Sequence, residues 1–302
     1  MMKAVQFSRF GGPDVLAVVD VDEPHAGPGQ IRVAVKASSV NPMDRARRSG
    51  RFKLELPAGI GRDAAGVVDE VGDGVTDVKV GDSAFGVAVD GRGTAEFALL
   101  RRWAKKPKRL SYAETAALPI AAETATRCLR KLAASAGQTL LINGAAGSVG
   151  QAAVQLARLQ GLRVIGTASA GNHARLREIG AEALVYGPGL VGRVRQLAPG
   201  GVDYVLDCAG QALGDLVEIA GDAARVLTVA GSTLAAEYGV LSTGGGGPDA
   251  AYDAYWTVAK LADEGKFSLP VQRTFTMAQA APAHALSEAV HLTGKIVIVI
   301  GR

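Results

Sequence analysis

The sequence predicts an α/β chain in which a barrel-like β unit is joined to a doubly wound parallel sheet. Three observations predict it. The first hundred residues carry short β-branched or alternating stretches separated by glycine-rich turns. From about Lys108 strand-like and helical stretches alternate, the pattern of a parallel sheet with crossover helices. After Lys266 the chain turns strand-like again, so its last part is expected to rejoin the first unit. At roughly 150 residues per domain, the length suggests about two domains. The expected limits are 1–112 and 266–302 for the β unit and 113–265 for the α/β unit.

In chain order, the strands expected first are Lys3–Phe7, Gln30–Ala37, Ala65–Val71 and Thr94–Leu100. Gly11-Gly12-Pro13-Asp14, Gly27-Pro28-Gly29, Gly72-Asp73-Gly74 and Gly81-Asp82 supply the turns, and Asn41–Gly50 fits one short helix. Ser111 and Glu114 have the spacing of a capping box. Pro119 should stop or restart the helix that follows, leaving Thr124–Ala134 helical. Strands are expected at Gln138–Asn143, Arg163–Thr167, Ala183–Tyr186, Asp203–Asp207 and Val226–Val229, with helices from Ser148 to Gln160 and His173 to Ile179. Val271–Met277 and Lys295–Ile300 read as strands flanking a helix from Ala278 to His291. Gly244–Gly247 is a low-complexity loop, equally suited to a surface connection and to a site.

Composition narrows the function classes. Hydrophobic residues make up 48% and charged residues 21%, enough for a large core and too apolar for disorder. The net charge is only +4, and the densest basic group, Arg101 to Arg109, reads as a solvated loop, so nucleic acid is not an expected partner. Two cysteines, Cys128 and Cys208, cannot form a disulfide framework or a four-cysteine zinc site. The apolar runs Ala116–Ala122 and Ile296–Ile300 fall short of the ~18 residues of a membrane helix, and the first residues lack a signal peptide's apolar stretch. A soluble, cytoplasmic protein is expected. No G-x-S-x-G elbow or H-E-x-x-H pair supports hydrolysis. The histidines at 25, 173, 284 and 291 have no ligand spacing and read as surface or packing residues.

The strongest motif lies where the strand Thr139–Ile142 meets Asn143-Gly144-Ala145-Ala146-Gly147-Ser148-Val149-Gly150 and then a helix. The spacing is G-x-x-G-x-x-G rather than G-x-G-x-x-G, but the physics is shared. A tight turn at Gly144 and a close approach at Gly147 expose backbone N–H groups to a pyrophosphate, Gly150 lets the helix pack on the sheet, and the helix N-terminus favours the anion. Gly144, Ala146, Gly147, Ser148 and Val149 are therefore the expected phosphate contacts. An NAD site usually carries a carboxylate after the next strand. No Asp or Glu occurs from Thr124 to Arg177, and Ser169, Asn172, His173 and Arg175 follow that strand instead. These donors suit a 2′-phosphate, so NADPH is the expected cofactor.

Together these features resemble the medium-chain dehydrogenase/reductase superfamily, in its zinc-independent quinone oxidoreductase branch. The segments that carry the resemblance are Gly11–Leu16, Ser39–Asp44, Asp63–Val68, Val80–Asp82, Ala117–Pro119, the glycine loop, Leu206–Gly210 and Gly294–Val297. The resemblance implies a GroES-like β-barrel catalytic domain split around a Rossmann domain, an active site in the cleft between them, and a homodimer. Zinc dehydrogenases of this superfamily carry a Cys in the segment matching Asn41–Asp44 and a His-Glu pair matching Arg62-Asp63. With those ligands missing, no metal is expected. Quinone reductases often place tyrosines five and eleven residues after the matching Asn. Here Ala46 and Phe52 stand there, which implies a rebuilt pocket with water as proton source, or a specialised substrate that needs no phenol.

The resemblance also implies site residues. Thr124 matches a residue beside the nicotinamide, and Val240-Leu241-Ser242 matches a segment lining it. Ala230-Gly231-Ser232 ends the fifth strand, and Tyr186 ends the third, where an aromatic ring can lie against adenine. Cys208 reads as an inert small residue near the cofactor. Asn41 and Thr124 are the candidate donors to a developing oxyanion, while Asp44 and Asp63 organise the cleft floor or relay protons. The expected activity is NADPH-dependent, metal-free hydride transfer to quinones or related conjugated carbonyls. The alternatives are a 2-enoyl or 2-alkenal reductase on the same fold, and an NADPH-binding protein without turnover.

Overall fold

In the computed structural model, which describes residues 1–289 and 292–301, the chain opens with the antiparallel pair β1 (Met2–Phe7) and β2 (Ala17–Val21). β3 (Ile31–Ser39) buries Ile31, Val33, Val35 and Ala37 at alternate positions, the period of a half-buried strand. Next come α1 (Pro42–Arg48), β4 (Ala58–Gly59), β5 (Asp63–Val71), β6 (Ser83–Ala88) and β7 (Phe97–Lys105). Arg101, Arg102 and Lys105 thus lie exposed on a strand, not in the solvated loop expected for them. α2 (Tyr112–Ala116) starts with the expected box: Glu114 N donates to Ser111 Oγ at 3.2 Å and Ser111 N to Glu114 Oε2 at 2.8 Å. α3 (Pro119–Leu132) begins at Pro119 rather than Thr124, because proline costs no hydrogen bond in a first turn.

The alternation that follows gives β8 (Thr139–Asn143), α4 (Ser148–Leu159), β9 (Arg163–Ala168), α5 (His173–Glu178), β10 (Glu182–Val185), α6 (Leu190–Leu197), β11 (Tyr204–Asp207), α7 (Leu213–Ala220), β12 (Val226–Thr228), α8 (Ser232–Tyr238) and β13 (Leu241–Ser242). Then come α9 (Ala254–Asp263), β14 (Val271–Thr276), α10 (Ala280–Ala289) and β15 (Lys295–Val299). The expected helix end at His291 lies outside the described residues.

Two units result, and each has its own sheet system. The first contains residues up to Ile120 and the chain from Tyr252 onward. Its larger sheet has the order β14-β15-β3-β5-β6-β7, and β3 also pairs with β7. β3 meets β7 through Ile31–Ala34, which closes β3, β5, β6 and β7 into a barrel, and meets β15 through Ala37–Ser39, which brings the C-terminal strand beside the N-terminal ones. The second unit, Ala121–Ala251, holds six parallel strands in the order β10-β9-β8-β11-β12-β13. Leu140, Leu141 and Ile142 of β8 are fully buried, as a strand covered on both faces requires. The order reverses between β8 and β11, the switch point where such sheets bind ligands. The unit breaks fall at 120/121 and 251/252, against the expected 112/113 and 265/266. The second break is earlier because α9 belongs with the barrel: Tyr255 is fully buried there, its ring 5.9 Å from that of Phe85 in β6.

His284 of α10 is a buried packing residue, 1% exposed, whose Nδ1 has no hydrogen-bond partner among the described residues. Burial and the Arg48 guanidinium push its pKa down to about 4. Arg48 is itself buried, donates to Gly11 O, and pairs with Glu288. The unfolded imidazole, with a pKa of about 6.5, takes up its proton first as pH falls. The contribution of His284 to stability is therefore complete above about pH 6.5 and is lost as pH falls toward 4. Urea unfolding at pH 7 and pH 4.5 should show the wild type losing about 2 kcal/mol more than His284→Leu across that interval.

Candidate functional site

The barrel unit gathers polar side chains where three strand ends meet. The β3–β5 register sets Ser39 opposite Asp63, and the β3–β15 register sets Val297 opposite Ser39, two residues from Lys295. Asn41 follows β3 and caps α1. Its N–H donates to Asp44 Oδ2 at 2.9 Å, and Asp44 N donates back to Asn41 O at 2.9 Å. Ser39, Asn41, Asp44, Asp63 and Lys295 are all at least 95% buried.

Asp63 is the acceptor on which this cluster converges. Its Oδ2 accepts from Ser39 Oγ at 2.5 Å, from Asn41 Nδ2 at 2.9 Å and from Lys295 Nζ at 3.3 Å. Its Oδ1 accepts from Ile120 N at 2.9 Å. Lys295 Nζ also donates to Ser39 Oγ at 3.1 Å and to Asn41 Oδ1, so its three protons are used. The Asn41 amide is saturated as well, because Nδ2 donates to Asp63 and, at 3.3 Å, to Ser39 O. Asn41 was expected to donate to a substrate oxygen, but this geometry leaves it no free N–H. Its amide orients the cluster instead. Asp44 differs: Oδ1 has no partner among the described residues. Burial, and then Asp63, push its carboxyl up to about 6 against the opposing pull of the Asn41 N–H, Lys295 and Arg62.

No group of three or more His, Cys, Asp or Glu that could hold a metal occurs among the described residues. A lysine ammonium is the cation that bridges Asn41 and Asp63. Neither Ser39 nor Lys295 was among the expected site residues. Lys295 carried the available signal, a lysine heading the apolar run Ile296–Ile300. Ala46 is half-buried and Phe52 is 41% exposed.

In the α/β unit, Gly144 to Gly147 form the turn between β8 and α4. Gly144 has φ +75°, and a Cβ on Gly150 would lie 2.4 Å from Gly144 O, so both positions require glycine. Gly147 is the N-cap of α4 and offers no side chain, and the first turn carries no acid. The N–H groups of that turn, including those of Ser148 and Val149, are left for an anion. The residues therefore fit a dinucleotide pyrophosphate.

A side-chain network that the sequence reading missed fixes the strand ends around this turn. Asp207 accepts from Asn143 Nδ2 at 2.9 Å and from Thr228 Oγ1 at 2.7 Å, while Thr167 Oγ1 donates to Asn143 Oδ1 at 2.7 Å and accepts from Gly144 N at 3.1 Å. Four strands are thereby tied to the glycine turn. Cys208 follows β11 half-buried, and burial raises its thiol well above its ordinary value.

After β9, Ser169 is exposed and its Oγ accepts from Asn172 Nδ2 at 2.9 Å. His173 Nε2 lies 3.3 Å from Ala168 O and so is occupied at the strand end. Arg175 donates to Gln151 Oε1 at 3.2 Å and pairs with Glu178 at 3.0 Å, so its charge is partly offset. Tyr186, 44% exposed, follows β10. Ala230 and Gly231 lie between β12 and α8, with Ser232 heading the helix and its side chain outside the described residues. Val240 precedes β13, an edge strand that includes Leu241 and Ser242 and that the sequence reading left unassigned.

Thr124 sits on α3 with its Oγ1 3.3 Å from Glu123 Oε2. Glu123 and Arg127 form a buried pair at 2.7 Å. Arg127 also donates to Thr243 Oγ1 at 2.8 Å, and Ala251 N donates to Glu123 at 3.2 Å. The pair thus pins both sides of Gly244–Gly247, which is more than a free surface connection.

Removing Lys295 leaves the Asp63 carboxylate buried without its counter-charge. Lys295→Met should cost about 3–5 kcal/mol in urea unfolding, and adding Asp63→Asn should recover much of that loss. Equal losses in the single and double variants would show that the pair is not coupled.

Residues 27–103 match the family model described as alcohol dehydrogenase GroES-like domain, and residues 179–298 the one described as zinc-binding dehydrogenase. The quinone oxidoreductase of Rattus norvegicus is 41% identical over 174 residues, a stretch covering 56% of this chain and 53% of that protein. The chain thus matches about half the length of that relative. The chloroplastic NADPH-dependent alkenal/one oxidoreductase of Arabidopsis thaliana is 30% identical across 98% of this chain and 79% of its own length. The structure of the quinone oxidoreductase from Coxiella burnetii superposes with a TM-score of 0.85 at 30% identity, covering 99% of both chains. The barrel closed by the β3–β7 pairing and extended by the C-terminal strand, the parallel sheet with its glycine turn and these relatives agree: the chain belongs to the medium-chain dehydrogenase/reductase superfamily, in its quinone oxidoreductase branch.

Proposed function

We propose that the chain is an NADPH-dependent oxidoreductase that reduces quinones or related conjugated carbonyls without a metal, as a cytoplasmic homodimer. The observation that carries this reading is the uncapped N-terminus of α4 behind the glycine turn, combined with the absence of a carboxylate after β9. The rat and Coxiella burnetii relatives, named for quinone oxidoreduction, support the acceptor class. An alkenal or enone acceptor is a second reading, favoured because the Arabidopsis match runs along nearly the whole chain.

NADPH, when bound, supplies a hydride. The first turn of α4 would hold its pyrophosphate, and Ser169, Asn172 and Arg175 its 2′-phosphate. The Glu123–Arg127 pair would keep Thr124 and the segment after Ser242 in place beside the nicotinamide. In the barrel unit, Lys295 and Asp63 hold Asn41 rigid, and Asp44 is the buried carboxyl available to hold or pass a proton. With Ala46 and Phe52 where phenols would stand, the acceptor must itself spread the charge it gains, as quinones do by conjugation. Water then supplies the proton that a phenol would have given.

Fluorescence titration should find NADPH bound about tenfold or more tighter than NADH, from one or two charge-assisted hydrogen bonds. Ser169→Asp should reverse that preference, and equal constants for the two wild-type titrations would refute it. NADPH oxidation should be fast with a small para- or ortho-quinone, slower with an enone, and near zero with an unconjugated ketone. Efficient turnover of the ketone, or none of any conjugated acceptor, would overturn the reading, the latter leaving a cofactor-binding protein.

A further inference from the structure

Next to Asp44 the barrel unit holds arginines that its own acids do not satisfy. Arg47 lies on α1, Arg62 directly before β5, and Arg92 just after the turn Val89–Gly91. Arg47 is within electrostatic reach of Asp44, Arg62, Asp90 and Arg92. Asp44 in turn is within reach of Arg62, Lys295 and Asp63. Lys295 and Asp63 satisfy each other. What remains is three guanidiniums against two carboxylates, an excess of one positive charge.

Arg47 and Arg62 are half-buried, whereas Asp90 and Arg92 are exposed and screened by water. Arg47 Nη2 donates to Asp90 O at 2.8 Å, while its Nε is buried without a partner among the described residues. The Arg62 guanidinium makes no hydrogen bond or ion pair with any described residue, although Asp44 and Arg47 are its electrostatic neighbours. Asp44 does not supply the missing partner, since among the described residues its carboxylate accepts only from Asn41 N, through Oδ2, and Oδ1 has no partner. Burial lowers the Arg47 pKa, and Arg62 and Arg92 add to that against the opposing pull of Asp44 and Asp90. Two like charges half-shielded from water repel each other, and the single Asp44 carboxylate within reach of both offsets only one of them. Guanidinium groups are suited to a planar carboxylate, which they bind through paired N–H groups.

We propose that Arg62, with Arg47, forms a subsite for a carboxylate, so that the preferred acceptor is a conjugated carbonyl carrying one negative charge. The proposal rests on the reading of this cluster as the acceptor side of the reaction. It also gives the departure at Ala46 and Phe52 a reason: a substrate anchored by its charge does not need phenols to hold it. The excess of a single positive charge matches a monoanion.

The test uses the whole chain in the presence of NADPH and two aromatic probes that are not reduced, 2-naphthoate and its uncharged analogue 2-naphthamide. Calorimetry should find the naphthoate bound about tenfold tighter. Arg62→Gln should abolish that preference and Arg47→Gln should weaken it, with the naphthamide affinity moving less than about twofold in either variant. Arg62→Gln should melt near the wild-type temperature, because the repulsion with Arg47 that it relieves offsets the attraction to Asp44 that it removes. Equal binding of the two probes to the wild type, or a preference that Arg62→Gln retains, would overturn the subsite. So would a clear drop in melting temperature, which would assign the guanidinium a structural task. The binding measurement reads the subsite whether or not any acceptor is turned over, so it fails independently of the proposed activity.

Discussion

The buried contact between Lys295 and Asp63 is the constraint around which the barrel unit is arranged. A lysine and an aspartate out of water would be ruinous alone, and they are tolerable here because every donor and nearly every lone pair is matched. The pair joins positions far apart in the chain: the end of β3, the start of β5, Ile120 and the start of β15. It explains why the C-terminal strand must return to the first unit, since the cation that neutralises Asp63 arrives on it. Asn41 is immobilised as a by-product, its amide held between the ammonium and the carboxylate. A rigid amide at the cap of α1 also places Asp44, whose carboxyl is gripped, among the described residues, through one oxygen only.

The α/β unit relies on a different device. Asp207 and Asn143 carry no net pairing of charges. They chain hydroxyls and amides across the ends of β12, β11, β8 and β9 and finish on the backbone of Gly144. Such a network is valuable only when complete, because each unpaired member inside the sheet would cost more than its hydrogen bond contributes. The effect is to hold the glycine turn still while leaving the first turn of α4 uncapped. Rigidity and open N–H groups are both needed to bind a phosphate without first ordering a loop. The Glu123–Arg127 pair does similar work for the run Gly244–Gly247, whose composition alone would suggest a mobile segment.

Much of this architecture was legible in the residues. The glycine turn was readable because Gly144 and Gly150 answer local steric demands that no other residue meets. The Ser111–Glu114 box was readable because its partners are three residues apart. The extra strands β2, β4, β6 and β13 were not, since short strands are held by ladder partners that lie elsewhere in the chain. The helix break at Pro119 was readable from the proline itself, although α3 starts there and not at Thr124, since a proline is tolerated in a first turn. At the site, Asn41, Asp44 and Asp63 were singled out by resemblance, while Ser39 and Lys295 were passed over. The donor role expected of Asn41 does not fit its saturated amide.

The sequence by itself determined what depends on neighbours along the chain: the parallel α/β unit, the phosphate turn, the missing carboxylate after β9, and the absence of zinc-ligand types at positions 41 and 62. These follow from periodicity, steric need and residue chemistry, none of which requires a distant partner. Only the tertiary structure decided which polar groups are already spent. Lys295 is more than 200 residues from Asn41 and Asp63 in sequence, and only the β3–β15 pairing brings its ammonium against them. Whether a donor is free depends on who else reaches it. The fold therefore decided that Asn41 is occupied, that Arg175 shares its charge with Glu178, and that the Arg62 guanidinium finds no hydrogen-bond or ion-pair partner among the described residues.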